Sequence, residues 1–191
     1  MKVVIAGGTG LVGKRLQTLL KKQNTEIIIL TTSGEDKIED GVQYVKWLDG
    51  SVPDGLEDTT AFINLAGTSL NAGRWTSKQK SNILSSRLNS TNEMIHIMKS
   101  LKKKPRVFIN ASAVGIYEPS ETEIYTEQYK TNVTDFLSDV VYKWEQAASL
   151  ANELDIRTCT MRFGVILEKN TGAFPLMLLP YQLFIGGTIG S

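Results

Sequence analysis

The chain has 191 residues, of which 41% are hydrophobic and 21% are charged, and its formal net charge is +1. This composition is ordinary for a globular domain, and the small net charge argues against nucleic acid or an anionic membrane as a partner. The single cysteine, Cys159, excludes an internal disulfide, and its apolar neighbours predict a buried side chain. No apolar stretch reaches the ~18 residues of a membrane span. The N-terminus lacks a secretory signal pattern, so we expect a cytoplasmic location.

Apolar runs alternate with helical periods along the chain. Buried strands are predicted at residues 3–6, 27–30, 42–47, 61–65, 107–110 and 158–163. Helices are predicted at residues 11–22, from residue 76 to before residue 105, and at residues 135–154, with a loop over residues 118–134. Because strands and helices alternate, we expect an α/β fold: a doubly wound parallel sheet of the Rossmann type, with helices on both faces.

The long central helix carries further signals. Thr76, with Gln79 three residues later, is typical of a capping box at a helix start. The spacing of the apolar side chains predicts that one face of the helix is buried. The residues of that face are Leu84, Leu88, Thr91, Ile95 and Met98. His96, the only histidine, lies off this face and is predicted to be exposed.

A glycine-rich stretch, VVIAGGTGLVGKRL at residues 3–16, joins the first strand to the first helix. It can be read as G-x-G-x-x-G, as G-x-x-G-x-x-G, or as the first seven positions of a P-loop. The glycines concerned are Gly7, Gly8, Gly10 and Gly13. In every reading the backbone approaches a phosphate at a helix N-terminus. A P-loop needs Ser or Thr after its lysine, but Arg15 follows Lys14, so a dinucleotide is favoured. The alternative is a tight turn without a ligand.

The end of the second strand bears on the choice of dinucleotide. An NAD site usually has an acidic side chain there, which accepts from the ribose 2′-hydroxyl. In this chain Thr31, Thr32 and Ser33 follow the strand, and the first acid is Glu35. Hydroxyl groups, with the basic residues of the first helix nearby, suit a 2′-phosphate better than carboxylates would. The sequence therefore favours NADP, and NAD is the alternative.

Several short motifs occur in chain order, and together they resemble a known family. They are GGTGLVG at 7–13, INLAG at 63–67, RWT at 74–76, SR at 86–87, SAVGIY at 112–117, WE at 144–145 and GGTIGS at 186–191. The series is similar to the bacterial "epimerase family" of atypical extended short-chain dehydrogenases/reductases, also described as sugar-nucleotide-epimerase-like or cell-division-inhibitor-like proteins. Family members extend beyond the length of this chain. The resemblance implies a Rossmann dinucleotide-binding domain over residues 1–170 and the start of a truncated substrate-binding lobe over residues 171–191.

The resemblance also implies roles for individual residues. The cofactor would be bound by Gly7, Thr9, Gly10, Leu11, Val12, Gly13, Thr31, Thr32, Asn64, Ala66 and Gly67. Ser112 and Tyr117 would lie beside the nicotinamide as catalytic residues, although for Tyr117 a packed aromatic ring is the favoured alternative. Arg74 and Arg87 would bind an anionic small-molecule substrate, the alternative being structural ion pairs. No His, Cys and carboxylate cluster has the spacing of a metal site.

The usual acid–base pair of this superfamily is missing. Its reductases use Tyr-x-x-x-Lys, in which the lysine lowers the pKa of the tyrosine. No tyrosine between residues 117 and 142 has a lysine four residues later. Matching Glu145 to the usual glutamate of that helix places Leu137 at the tyrosine position and Val141 at the lysine position. We therefore expect an oxidoreductase or epimerase of unknown substrate with other proton donors, and a homodimer is one assembly that we consider. The alternative is a non-catalytic dinucleotide-binding or sensing protein.

Overall fold

The computed structural model describes residues 1–33, 35–71 and 73–187, so the last four residues of the GGTIGS motif lie outside the described part. The strands are β1 (Lys2–Ala6), β2 (Glu26–Thr31), β3 (Lys37–Glu39), β4 (Val42–Lys46), β5 (Ala61–Asn64), β6 (Val107–Ala113), β7 (Arg157–Phe163), β8 (Leu167–Glu168) and β9 (Thr171–Gly172). The α-helices are α1 (Leu11–Lys21), α2 (Ser77–Ser100), α3 (Phe136–Ser149) and α4 (Phe174–Gln182). Single-turn 3₁₀ segments cover Val114–Ile116 and Leu150–Leu154.

One sheet contains seven of these strands, in the order β3-β4-β2-β1-β5-β6-β7. All neighbours pair in parallel except β3, which pairs antiparallel with β4 at the sheet edge. The predicted doubly wound parallel sheet is thereby confirmed. From β1 the sheet extends through β2 and β4 toward one edge and through β5, β6 and β7 toward the other. Strand β1 is therefore the point at which the strand order reverses. Ligands of open α/β sheets bind at the carboxyl ends of the strands at such a point.

The strands are buried because apolar layers cover both faces of the sheet. On one face Val4, Ile28 and Phe62 pack with Met94 of α2. On the other face Ile5 and Ile29 pack with leucines of α1. This burial on both sides explains why β1 and β2 are continuous apolar runs rather than alternating ones.

Helix α2 begins where its cap was predicted but buries a different face. Thr76 Oγ1 accepts a hydrogen bond from the Gln79 amide at 3.2 Å. The fully buried side chains are Ile83, Ser90, Thr91, Met94, Ile97 and Met98. Leu84, Leu88 and Ile95 are only half-buried, so the prediction for that face was wrong at these three positions. The prediction followed the leucines, whereas the neighbouring stripe with Ile83, Met94 and Ile97 is the buried one.

Other local predictions have mixed outcomes. Residues 118–134 form neither helix nor strand, and His96 is exposed, as predicted. Cys159 is half-buried rather than buried, because β7 is the edge strand of the sheet and lacks a strand neighbour on one side. The three-residue strand β3 was not predicted. No helix in the described ranges is long and apolar enough to cross a membrane.

Candidate functional site

The glycines after β1 perform three different structural tasks. Gly7 has φ +73°, and a Cβ built on it would lie 2.6 Å from the Leu65 carbonyl carbon, so it provides a tight turn against the β5 loop. A Cβ on Gly13 would lie 2.4 Å from the Gly8 carbonyl oxygen, so Gly13 lets α1 pack closely on that backbone. A Cβ on Gly10 would meet only the Gly7 carbonyl oxygen, at 3.3 Å. Gly10 is therefore the glycine that leaves space open rather than filling it.

The N-terminus of α1 opens into this space. Gly10 is the N-cap residue, and the first amide bonded within the helix is that of Lys14, which donates to the Gly10 carbonyl at 2.9 Å. Within the described part of the chain, no side chain caps this end and no acidic residue lies in its first turn. The amides at the start of a helix lack intrahelical acceptors and carry partial positive charge. The backbone here, including Leu11 and Val12, therefore fits a pyrophosphate.

A cavity of about 460 Å³ follows the carboxyl ends of β1, β2 and β5. The predicted cofactor residues that line it are Gly7, Thr9, Gly10, Thr31, Thr32, Ala66 and Gly67. Sequence reasoning missed several other lining residues, namely Trp47, Leu48, Thr68, Ser86, Asn89 and Ser90. Trp47 directly follows β4, so the rule that parallel strands end at one edge would have indicated it.

Hydroxyl groups rather than carboxylates face the cavity at the end of β2. Thr31 Oγ1 accepts from the Ser33 amide at 3.2 Å, which fixes the turn. The nearby carboxylate of Asp36 instead accepts from the Lys46 amide at 2.7 Å, so it is bound to β4. Arg15 pairs with Glu168 at 3.0 Å and is directed to the β8–β9 hairpin. Of the two basic residues considered for a 2′-phosphate, Lys14 is thus the one without an ion pair among the described residues.

Asn64 lies behind the cavity wall rather than in it. Its side chain is 0% exposed. Its Nδ2 donates to Thr91 Oγ1 at 3.0 Å and to Asn110 Oδ1 at 2.8 Å, and its Oδ1 accepts from the Ala66 amide at 3.1 Å. The Trp144 indole also donates to Thr91 Oγ1, at 3.0 Å. This geometry corrects the expectation for Asn64: its side chain does not line the cavity, and it instead fixes the loop with Ala66 and Gly67, which does.

The two candidate substrate arginines differ in their surroundings. Arg87 Nη1 donates to the carbonyls of Thr68 (3.1 Å) and Ile83 (2.9 Å), and its guanidinium lies over the Trp144 ring at 5.2 Å. Burial lowers the pKa of this guanidinium. Neither Arg87 nor Arg74 forms an ion pair with another described residue, and Arg74 is exposed. Arg87 is therefore a half-buried cation that clamps the β5 loop to α2.

A polar chain of four side chains connects β6, α3 and β7. Ser112 Oγ donates to Glu145 Oε1 at 2.5 Å. Arg162 donates from Nε and Nη2 to the two oxygens of Glu145, both at 2.9 Å, and from Nη1 to Tyr117 Oη at 2.7 Å. The two candidate catalytic residues are thereby linked. Sequence reasoning missed Arg162, although a charge within a strand that the sequence predicts to be buried is a signal, since such a charge requires a partner.

Glu145 and Arg162 stabilise each other in their charged forms. Burial of Glu145 opposes its charge, but hydrogen bonds from Arg162 and Ser112, and the attraction of Arg162, lower its pKa overall. The hydrogen bond to Glu145 raises the pKa of Arg162, against the opposing effect of burial. Leu137, two turns before Glu145 on α3, is half-buried, and Val141, one turn before it, is buried. Among the described residues, no three His, Cys, Asp or Glu side chains are grouped as metal ligands would be.

Comparison with known proteins gives consistent matches. The family model described as NAD dependent epimerase/dehydratase family matches residues 3–165. The chain is 42% identical to the Epimerase family protein YfhF of Bacillus subtilis and 41% identical to the Epimerase family protein SH2119 of Staphylococcus haemolyticus. These matches cover 100% and 98% of this chain but 63% and 62% of the relatives. The chain thus spans a little over three fifths of their length.

Solved structures show the same architecture. The crystal structure of the human epimerase family protein SDR39U1 with NADPH superposes with a TM-score of 0.85 and 32% identity, over 100% of this chain and 63% of that chain. UDP-glucuronic acid 4-epimerase from Bacillus cereus, solved with UDP-glucuronic acid and NAD, superposes with a TM-score of 0.73 over 95% of this chain and 63% of that chain. Its identity is 16%, so this similarity concerns the fold alone.

Proposed function

Because the chain belongs to the NAD dependent epimerase/dehydratase family, we propose that it binds a nicotinamide dinucleotide along the carboxyl ends of β1, β2 and β5, with NADP(H) preferred over NAD(H). The observation that carries this proposal is the open, uncapped N-terminus of α1 behind Gly10. The NADPH in the human SDR39U1 structure supports the same cofactor.

In this proposal, different groups of the chain bind different parts of the cofactor. The backbone of Gly7, Gly10 and the first turn of α1 holds the pyrophosphate. The hydroxyls of Thr31 and Thr32 lie toward the 2′-phosphate, where none of the described lining residues has a carboxylate that would repel it. Ala66 and Gly67 contribute backbone along the β5 loop. When bound, the nicotinamide would supply or accept a hydride.

We further propose an oxidoreductase or epimerase reaction on a small anionic substrate. Arg87 supports the anionic character, because a half-buried guanidinium with no carboxylate partner in the described ranges favours a bound anion. The second candidate function is a dinucleotide-binding or sensing protein without turnover. The packed apolar side chains of Leu137 and Val141 favour it, since neither can move a proton.

Calorimetric titration with NADPH and NADH tests the cofactor assignment. We expect tighter binding of NADPH, and loss of binding in Gly10→Val with the melting temperature retained. Gly164→Val is the matched control, because a Cβ there has no neighbour within 4 Å and lies outside the cleft. No binding of either dinucleotide, or an unchanged affinity in Gly10→Val, contradicts the proposal; tighter NADH binding contradicts the NADP preference.

A further inference from the structure

We infer that Tyr117 and Arg162 form the proton-donating pair of this protein, acting on a ketone or aldehyde carbonyl of the substrate. Tyr117 would be the catalytic residue that touches the carbonyl oxygen, and Arg162 the positioning residue that holds its phenol. The inference rests on the proposed function, because the hydride must come from the bound dinucleotide. It assigns to Tyr117, in the loop after β6, and Arg162, in β7, the task that Tyr-x-x-x-Lys performs within one helix.

The phenol of Tyr117 is held at both of its hydrogen-bonding positions. Its oxygen accepts from Arg162 Nη1 at 2.7 Å, and it donates to the Thr126 carbonyl at 3.1 Å. A cationic donor on a phenol oxygen stabilises the phenolate that forms when the proton leaves. The Tyr117 ring is also fixed, because it stacks on Tyr125 with 4.8 Å between ring centroids. Orientation and charge stabilisation, the two contributions required of a lysine, are therefore both present.

Arg162 is itself immobilised by Glu145. Two of its nitrogens bind the two carboxylate oxygens, and only Nη1 remains for Tyr117. Because Nε and Nη2 are occupied by Glu145, no two-nitrogen fork remains for a substrate carboxylate or phosphate. This geometry favours an uncharged reacting group, such as a ketone or aldehyde. An anionic group elsewhere on the substrate would bind at Arg87 instead.

A separate cavity of about 390 Å³ lies against the Tyr117–Arg162 pair. Its walls include the phenol, the Thr126 carbonyl and two apolar side chains, Val114 and Met161, which are 46% and 49% exposed. Thr126 belongs to the loop over residues 118–134, so the acceptor of the phenol proton is a loop carbonyl that a substrate oxygen can replace. The apolar side chains would contact the carbon skeleton beside the carbonyl.

The Tyr117–Arg162 pair lies near the carboxyl ends of β6 and β7. Tyr117 follows β6 after a single 3₁₀ turn, so it lies at the edge of the sheet where the β1, β2 and β5 loops line the cofactor cleft. In the reduction, the carbonyl carbon gains the hydride and the carbon–oxygen π bond breaks. The carbonyl oxygen takes the phenol proton of Tyr117, which leaves a phenolate beside Arg162. Solvent then returns a proton to Tyr117, and the products are an alcohol and the oxidised nicotinamide.

The kinetic test uses the chain with NADPH and phenanthrenequinone, an uncharged dicarbonyl probe. Loss of a general acid costs about 10²–10⁴-fold in rate, so we expect Tyr117→Phe to lower kcat by that range with little change in KM or NADPH affinity. Arg162→Gln should also lower kcat, and Arg162→Lys should restore part of it. Tyr142→Phe, on the exposed side of α3, is the matched control and should behave as wild type.

A second measurement is independent of turnover. In protein with tyrosine isotope-labelled at Cζ, the Tyr117 resonance is assigned by its absence from Tyr117→Phe. Phenanthrenequinone should shift this resonance but not that of Tyr142, with or without cofactor.

If NADPH binds but Tyr117 does not respond to the probe, or Tyr117→Phe retains wild-type kcat, the inference is overturned and the proposed cofactor site stands. Wild-type protein that binds both compounds without reducing the probe also overturns it. If Tyr117 responds but NADPH does not bind, the cofactor proposal fails and the carbonyl site stands.

Discussion

Replacing Thr91 by valine should expose how far the fold depends on its buried amide network. The substitution keeps the side-chain shape but removes Oγ1, which accepts from Trp144 Nε1 and Asn64 Nδ2, both at 3.0 Å. Asn64 keeps its hydrogen bond to Asn110 at 2.8 Å, so the Trp144 indole is the donor left unpaired. A buried unpaired donor costs about 1–3 kcal/mol. Two further hydrogen bonds are lost, from Asn64 to Thr91 and from Thr91 to Asn110 at 3.4 Å, and each costs about 0.5–1.5 kcal/mol. We therefore expect a loss of about 2–6 kcal/mol in the free energy of unfolding.

Urea unfolding of wild type and Thr91→Val measures this loss. Thr18→Val is the matched control, because Thr18 is also helical but its hydroxyl bonds an α1 carbonyl at the surface; surface changes stay within about 0.5 kcal/mol. Trp144→Phe removes the donor itself, so the double variant should be more stable than the sum of single losses predicts, by about 0.5–3 kcal/mol. A Thr91→Val loss no larger than that of the control, or strictly additive losses, would refute the reasoning.

Three other expectations concern α3 and its ion pair. Asp135→Ala removes the side chain that caps α3 and should cost about 0.5–2 kcal/mol in urea unfolding; no change would show that the cap contributes nothing. Leu137→Tyr with Val141→Lys should lower the melting temperature, because a lysine is desolvated there, and should not create a carbonyl reductase; robust single-turnover hydride transfer would contradict this. The lowered pKa of Glu145 makes its stabilising effect complete above about pH 4.3, the ordinary value of a glutamate, and lost as the pH falls through the lower folded-state value. The stability difference between wild type and Glu145→Gln should therefore shrink in acid, and a difference that persists there would place its origin outside the Arg162 ion pair.

The sheet could be predicted because burial of its strands requires apolar residues, and these are visible in the sequence. Strands β1 and β2 are covered on both faces, so their residues had to be apolar without interruption, and the glycines between β1 and α1 reflect a local backbone requirement. Strand β3 could not be found in this way, because its three residues are exposed and its antiparallel pairing with β4 creates no apolar pattern. The buried face of α2 was misjudged because two apolar stripes lie side by side on this helix: the stripe with Ile83, Met94 and Ile97 is buried, and the one with Leu84 and Leu88 is half-buried.

Polar contacts between distant residues were the least predictable part of the site. Tyr117 and Arg162 are 45 positions apart, and Glu145 and Arg162 are 17 apart, so no periodicity relates them. Asn64 was correctly placed at the end of a strand, but only the fold shows that its amide turns inward to Thr91 and Asn110. Hydrophobic patterning predicts which face of a helix or strand is buried. It does not predict which polar side chains form hydrogen bonds with each other in the interior.

The close approach of Gly7 to Leu65 has a consequence for redesign of cofactor preference. At that end of the cleft two loops are in backbone contact, so a residue cannot be enlarged in one without displacing the other. At the opposite end Thr32 and Ser33 are exposed, and new side chains can be introduced there without moving a neighbouring loop. A library aimed at exchanging NADP for NAD should therefore vary the residues after β2 and leave the glycine turn constant. We expect variants in the glycine turn to be expressed at a lower level than variants after β2, because only the former displace a neighbouring loop. Their cofactor selectivity can be compared only after this difference is taken into account.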